Sequence, residues 1–179
     1  MAVKFTERAE KVLLAAGEAA RSRSHDHIDT QHFLHAIVSQ RGSIAVQALL
    51  KEKIDLERMQ ELIEASLEQV AVKSRSDAIP FTPHAKRCLQ LASEQAARNG
   101  HSYVSTEHIL IGVIREKEGS GAHLLSDLKL NGENVEQTIM AMLEPTPEEE
   151  HRKQENYSFP KSGTPTLPVL ASSSIALPA

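Results

Sequence analysis

Tryptophan is absent, aromatic residues make up only 3% of the 179 positions, and there is a single cysteine, Cys88. Few aromatics beside many Ala and Leu point to a core of small and aliphatic side chains, as where helix packs on helix, and weigh against all-β architectures. One thiol excludes an intramolecular disulfide framework and any four-thiolate zinc site, which fits a reducing compartment. Long hydrophobic runs are missing as well. The stretch Ile109 to Ile114 is far short of the ~20 residues that a membrane span needs, so no membrane partner is expected. Nor is there an excess of positive charge: 20 Lys and Arg stand against 24 Asp and Glu. The basic residues are scattered among acids, so the field that drives nucleic-acid binding is lacking. The start, Met1-Ala2-Val3-Lys4-Phe5, turns polar at Thr6-Glu7-Arg8 without the apolar segment of a secretory signal. The expectation is a mature chain that begins here and works in a cytoplasm, a plastid stroma being disfavoured by the missing transit peptide.

What the chain does contain is a repeat. At an offset of 76 residues Phe5-Thr6-x-x-Ala9 aligns with Phe81-Thr82-x-x-Ala85, and Thr30-x-His32-x-Leu34 with Thr106-x-His108-x-Leu110. The match runs on through His25 and His101, Leu49 and Leu125, and Ala65-x-Leu67-Glu68 and Ala141-x-Leu143-Glu144. About 18 of some 64 aligned positions are identical, several times what average residue usage would give. This is a tandem duplication, with copies at about 5–68 and 81–144 inside a domain spanning 1–144.

Tested against a 3.6-residue period, each copy reads as four helices. Ala9, Val12, Leu13, Ala16 and Ala20 form one stripe, repeated by Ala85, Cys88, Leu89, Ala92 and Ala96. Thr6 and Thr82 suit the N-cap, Phe5 and Phe81 the stapling position before it, and Pro83 the first turn. Second helices start near Thr30 and Thr106, with Gly42 expected to end the first of them and Gly119 and Gly121 the other. Short third helices and amphipathic fourth helices follow. The fold class is therefore all-α, two four-helix units in one compact pseudo-twofold eight-helix body. Lys73 to Ile79 reads as the connector. From 145 to 179, where six of the eight prolines lie beside Glu148-Glu149-Glu150 and Ser172-Ser173-Ser174, the composition is that of a flexible linker or disordered tail.

The paired Phe-Thr-x-x-Ala starts, together with Gly100-His101-Ser102-Tyr103-Val104-Ser105-Thr106-Glu107-His108-Ile109-Leu110-Ile111-Gly112, resemble the double N-terminal motif of the Clp ATP-dependent AAA+ unfoldases, in its ClpC-like form. The resemblance covers about residues 3 to 144. It reaches Gly163-Thr164-Pro165-Thr166-Leu167 and then departs from Pro168 onward. It implies a non-catalytic domain that recognises adaptor and substrate proteins and is tethered to a Clp ATPase ring and, through the ring, to a Clp peptidase. The alternative is a stand-alone accessory protein of the same double repeat that docks on a Clp protease assembly and modulates it. No Gly-x-x-x-x-Gly-Lys-Ser/Thr phosphate loop is present, so neither nucleotide hydrolysis nor a cofactor is expected.

A Thr-capped helix start offers free N–H donors and a positive dipole end to an anion. In ClpC-like relatives such a pocket receives phosphorylated arginine, an acid of the Thr-Glu-His motif pairing the guanidinium. Glu107 matches that acid, whereas the first copy has Gln31, which cannot make the charge-assisted fork. Any phosphoarginine site is thus expected at the second copy, around Thr82 and Glu107, with Thr6 and Gln31 the weaker equivalents; the plainer reading, that Thr6, Thr82 and Glu107 only cap helices, already suffices to explain them. Phe5 and Phe81, helped by Lys86 and Arg87, are candidates for an adaptor-docking patch, or else staple into the core. His25, His27, His32 and His35 invite a metal reading, but only His25 and His32 recur, as His101 and His108. That favours a structural pair, and no metal is expected. A third reading, a small metal-dependent enzyme on a helical bundle, rests on this histidine cluster alone. Cys88 lies on the buried stripe and reads as packing.

Overall fold

The computed structural model describes residues 3–68 and 78–144. The connector, apart from Ala78 and Ile79, and the proline-rich stretch 145–179 lie outside them. Among the described residues, eight helices follow one another in chain order: α1 (Glu7–Ser22), α2 (Thr30–Ser39), α3 (Ile44–Lys51), α4 (Leu56–Glu68), α5 (Pro83–Arg98), α6 (Thr106–Glu116), α7 (Ser120–Asp127) and α8 (Gly132–Leu143). None is long and apolar enough to cross a membrane.

Both copies repeat the same local chemistry. The Thr6 hydroxyl accepts from the Ala9 N–H at 3.2 Å and the Thr82 hydroxyl from the Ala85 N–H at 3.0 Å, each satisfying a donor that the helix start would orphan. Helices α1 and α5 end alike: the residue at φ +56° (Ser24) in one copy and φ +72° (Gly100) in the other turns the chain back. The following His25 and His101 N–H groups then bond the Ala20 and Ala96 carbonyls, both at 2.9 Å. Lys53 and Lys129 close α3 and α7 in the same left-handed conformation.

The glycines do not end the second helices. Helix α2 stops at Ser39, ahead of Gly42, and α6 runs to Glu116, where Lys117 takes the left-handed position at φ +67°. Gly119 instead precedes α7 as its N-cap and Gly121 lies inside it. A Cβ at Gly121 would stand 2.9 Å from Val113 and 3.0 Å from the Thr30 hydroxyl, so that glycine serves close packing rather than termination.

Helices α2 and α6 form the centre. Phe33, Leu34, Ile37, Ile109, Leu110 and Ile111 are fully buried, as expected of helices apolar on nearly every side. The small residues of α1 and α5 let these outer helices approach closely, most of all where Gly112 of α6 meets Cys88 of α5. A Cβ there would lie 2.3 Å from the Cys88 carbonyl oxygen.

The copies interlock reciprocally. Phe5 bridges Val104 and Phe81 bridges Ile28, each in parallel. Thr6 N–H donates to Val104 O at 2.9 Å and Val104 N–H to Lys4 O at 2.7 Å; Thr82 N–H donates to Ile28 O at 2.9 Å and Ile28 N–H to Pro80 O at 2.8 Å. Helix α2 packs on α7 and α5, and α6 on α3 and α1. This exchange is the pseudo-twofold arrangement that the duplication implies.

Candidate functional site

The interlock places helix starts of one copy beside those of the other, which sequence spacing within a single copy does not reveal. Thr82, at the start of α5, meets α2 of the first copy: its hydroxyl donates to Asp29 Oδ1 at 2.8 Å. Thr6, at the start of α1, meets α6 of the second copy, its hydroxyl 3.3 Å from that of Ser105. Glu107 lies in the first turn of α6 and Gln31 in that of α2. The contacts therefore join Thr6 with the helix that carries Glu107, and Thr82 with the helix that carries Gln31, across the copies rather than within one.

The two junctions differ in charge. Asp29 caps α2 by accepting from the Thr30 N–H at 2.8 Å, takes the Thr82 hydroxyl, and takes the Ser120 hydroxyl of α7 on Oδ2 at 2.8 Å. The Thr30 hydroxyl accepts from the Gly121 N–H at 2.8 Å. One carboxylate thus serves the starts of three helices, where positive dipole ends favour an anion. Burial pushes the Asp29 carboxyl up, and the bonds from Thr82, Thr30 and Ser120 outweigh it, leaving its pKa below the ordinary value. At the opposite junction the equivalent residue is Ser105, neutral, beside Thr6 of α1.

Gln31 is buried and accepts a hydrogen bond from the Ser66 hydroxyl of α4. Glu107 is 3% exposed; one oxygen takes the Thr106 hydroxyl at 3.2 Å, and the other lies 4.0 Å from His108 Nδ1. That nitrogen already accepts the Ser105 N–H at 2.9 Å. Phe5 and Phe81 are half-buried, and Phe81 packs on Phe33 with ring centroids 5.9 Å apart. Lys86 and Arg87 are exposed on α5.

The recurring histidines cap helices. His32 Nδ1 accepts from the Asp29 N–H at 2.9 Å and His108 Nδ1 from the Ser105 N–H, a capping box with histidine in the third position. The proton must then sit on Nε2, which donates to His25 Nδ1 at 2.8 Å and to His101 Nδ1 at 3.1 Å. Burial and the neighbouring His25 push the His32 pKa down to about 4; burial also lowers that of His108. His35 pairs with Glu64, as does Arg23. Cys88 is fully buried and its thiol is pushed up by burial, which fits packing.

Outside these junctions, His84 Nδ1 and Glu116 Oε1 lie 2.6 Å apart, and Glu116 Oε2 accepts the Gly119 N–H at 2.6 Å. The bond to Glu116 raises the His84 pKa. Sequence reasoning missed both residues. They lie 32 positions apart on different helices, and no motif links them.

The sequence model of the Clp repeat (R) N-terminal domain family matches residues 4–128. The chain is 35% identical over 168 residues to the chaperone protein ClpB of Oceanobacillus iheyensis, covering 94% of this chain and 20% of that one. It is 38% identical over 140 residues to the negative regulator of genetic competence ClpC/MecB of Bacillus subtilis, covering 78% and 17%. The chain therefore spans about one fifth of the length of these curated relatives. Among solved structures it resembles the Hsp104 N-terminal domain from Candida albicans, at a TM-score of 0.70 and 17% identity over 78% of this chain and 91% of that one. It also resembles the ClpV N-domain solved in complex with a VipB peptide, at 0.62 and 16% over 78% and 86%. These two likenesses establish the fold.

Proposed function

The chain belongs to the Clp repeat N-terminal domain family, and from that premise we propose that it is a non-catalytic recognition module. It binds adaptor and substrate proteins and presents them to a Clp ATPase ring and, through the ring, to the Clp peptidase. The observation that carries this reading is the family match over residues 4–128, in a sequence with no phosphate-binding Gly-x-x-x-x-Gly-Lys-Ser/Thr run. The capture of a peptide by a ClpV N-domain of the same fold supports a docking role.

The finer reading places phosphorylated arginine at the junction of α1 and α6. At the α5–α2 junction the anion position at the helix starts is filled by Asp29, and a phosphate there would meet a like charge. At the α1–α6 junction the caps are the hydroxyls of Thr6 and Ser105. A phosphate takes the start of α1, and Glu107, sheltered from water, pairs the guanidinium in a charge-assisted bond. Residence in a bacterial cytoplasm is part of the same proposal.

The test is a pull-down with this chain as bait for purified adaptor proteins, tagged substrates, an assembled Clp ATPase ring and the peptidase. Capture of adaptor or substrate but not of the peptidase is the expected result. Capture of the assembled ring or peptidase without either would contradict the proposal.

A further inference from the structure

The duplication offers a comparison at the place where α5, α6 and α7 meet. In the first copy Arg8, Gln40 and Gly42 hold the positions that His84, Glu116 and Glu118 hold in the second. There the Arg8 guanidinium reaches across to the Gly42 carbonyl at 2.7 Å, and the Gln40 amide donates to the Arg8 carbonyl at 3.0 Å. The first copy thus supplies its own cation to this corner. The second has replaced the cation by an imidazole, the amide by a carboxylate and the glycine by another carboxylate.

The three side chains of the second copy converge. One ligand atom from each of His84, Glu116 and Glu118 lies within 4.8 Å of the others. The Glu116 side chain is only 3% exposed while His84 is 41% exposed, and Glu118 is exposed at the rim. The wall behind Glu116 is backbone. A Cβ at Gly119 would lie 2.7 Å from Glu116 Oε2 and 2.6 Å from the Thr30 hydroxyl, and the Gly119 N–H fixes the carboxylate. The Asp29 carboxylate is near enough to act electrostatically on His84 and adds negative field.

We propose that His84, Glu116 and Glu118 bind a divalent transition-metal ion of the zinc class. One imidazole and two carboxylates are the donor set that a borderline ion takes, with three protein ligands leaving a fourth position open to water or to a group from a partner. Ligands on one such ion stand about 3.4 Å apart at bond lengths of about 2.1 Å. His84 therefore withdraws from its 2.6 Å contact, and exposed Glu118 swings inward. The ion would tie the start of α5 to the end of α6, as Arg8 ties the start of α1 to the loop at Gly42.

The experiment is calorimetric titration of the full 179-residue chain with Zn2+ alone, repeated on His84→Ala and on Glu118→Gln, with far-UV circular dichroism confirming that each variant is folded. Glu118 lies at the surface, so its variant keeps the test valid even where His84→Ala perturbs α5. The expected result is saturation near one equivalent, weakened about tenfold or more in each variant. No saturable uptake by the parent chain, or uptake unchanged in both folded variants, overturns the proposal.

Discussion

The two junctions of helix starts share one backbone design and carry opposite chemistry. Where α2, α5 and α7 begin together, Asp29 bonds all three. Where α1 and α6 begin together, the hydroxyls of Thr6 and Ser105 face each other without a capping carboxylate. Duplication preserved the scaffold, because caps, left-handed turns and the reciprocal bridges depend on backbone geometry. It released the charge, because either an internal carboxylate or an external anion satisfies a helix start. One junction is then filled by its own carboxylate, and the other is capped by neutral hydroxyls.

The largest expected effect lies in packing. Ala36 in α2 corresponds to Gly112 in α6, and the Cβ of Gly112→Ala would fall 2.3 Å from the Cys88 carbonyl oxygen. Because backbone must move, this variant should cost about 3 kcal/mol or more in denaturant unfolding. Ala36→Gly, at the equivalent position, should cost only about 1 kcal/mol.

Next comes pH. The folded-state pKa of His32 is about 4, below the unfolded value of about 6.5. Between these values the unfolded chain holds the proton that the folded chain excludes. Stability from His32 is therefore complete above pH 6.5 and falls as pH drops to 4, by about 3 kcal/mol in all, measurable by chemical denaturation across that window. The copies diverge again here, since the Glu107 carboxylate raises His108 against the effect of burial. Glu107→Gln should lower the His108 pKa further, and Gln31→Glu should raise that of His32, each read by imidazole NMR titration.

Smaller effects follow at the surface. Arg115 grips Glu136 through two bonds of 3.0 and 2.7 Å, and Glu136→Gln should cost about 1 kcal/mol, shrinking in high salt. Leu14 is 69% exposed and stands where the second copy has Gln90. Leu14→Gln should change the melting free energy by less than about 0.5 kcal/mol.

Helix number and caps were legible because apolar spacing and Thr-x-x-Ala starts are local signals. Gly119 and Gly121 misled because the same residue serves helix termination and close packing, and only the neighbours Val113 and Thr30 distinguish the two; Gly42 lies in the turn beyond Ser39, where α2 has already ended. The junctions were illegible for another reason. Pairing Thr82 with Glu107 assumed that each copy builds its own site, but the Phe5–Val104 and Ile28–Phe81 bridges exchange partners between copies. Asp29 carries no signal in the sequence that sets it apart, and its bonds to Thr82 and Ser120 exist only after assembly. The pair His25 and His32, recurring as His101 and His108, reads as structural, and the capping boxes of His32 and His108 with their bonds to His25 and His101 explain why it recurs.

The most direct test of the unequal junctions is an amide NMR titration of the chain with a phosphoarginine peptide. The account predicts one saturable site, with shifts centred on Thr6, Ser105 and Glu107, weakened at least tenfold by Thr6→Ala or Glu107→Gln and unchanged by Thr82→Ala. Equal binding at both junctions, or loss of affinity in Thr82→Ala with Thr6→Ala unaffected, would contradict it.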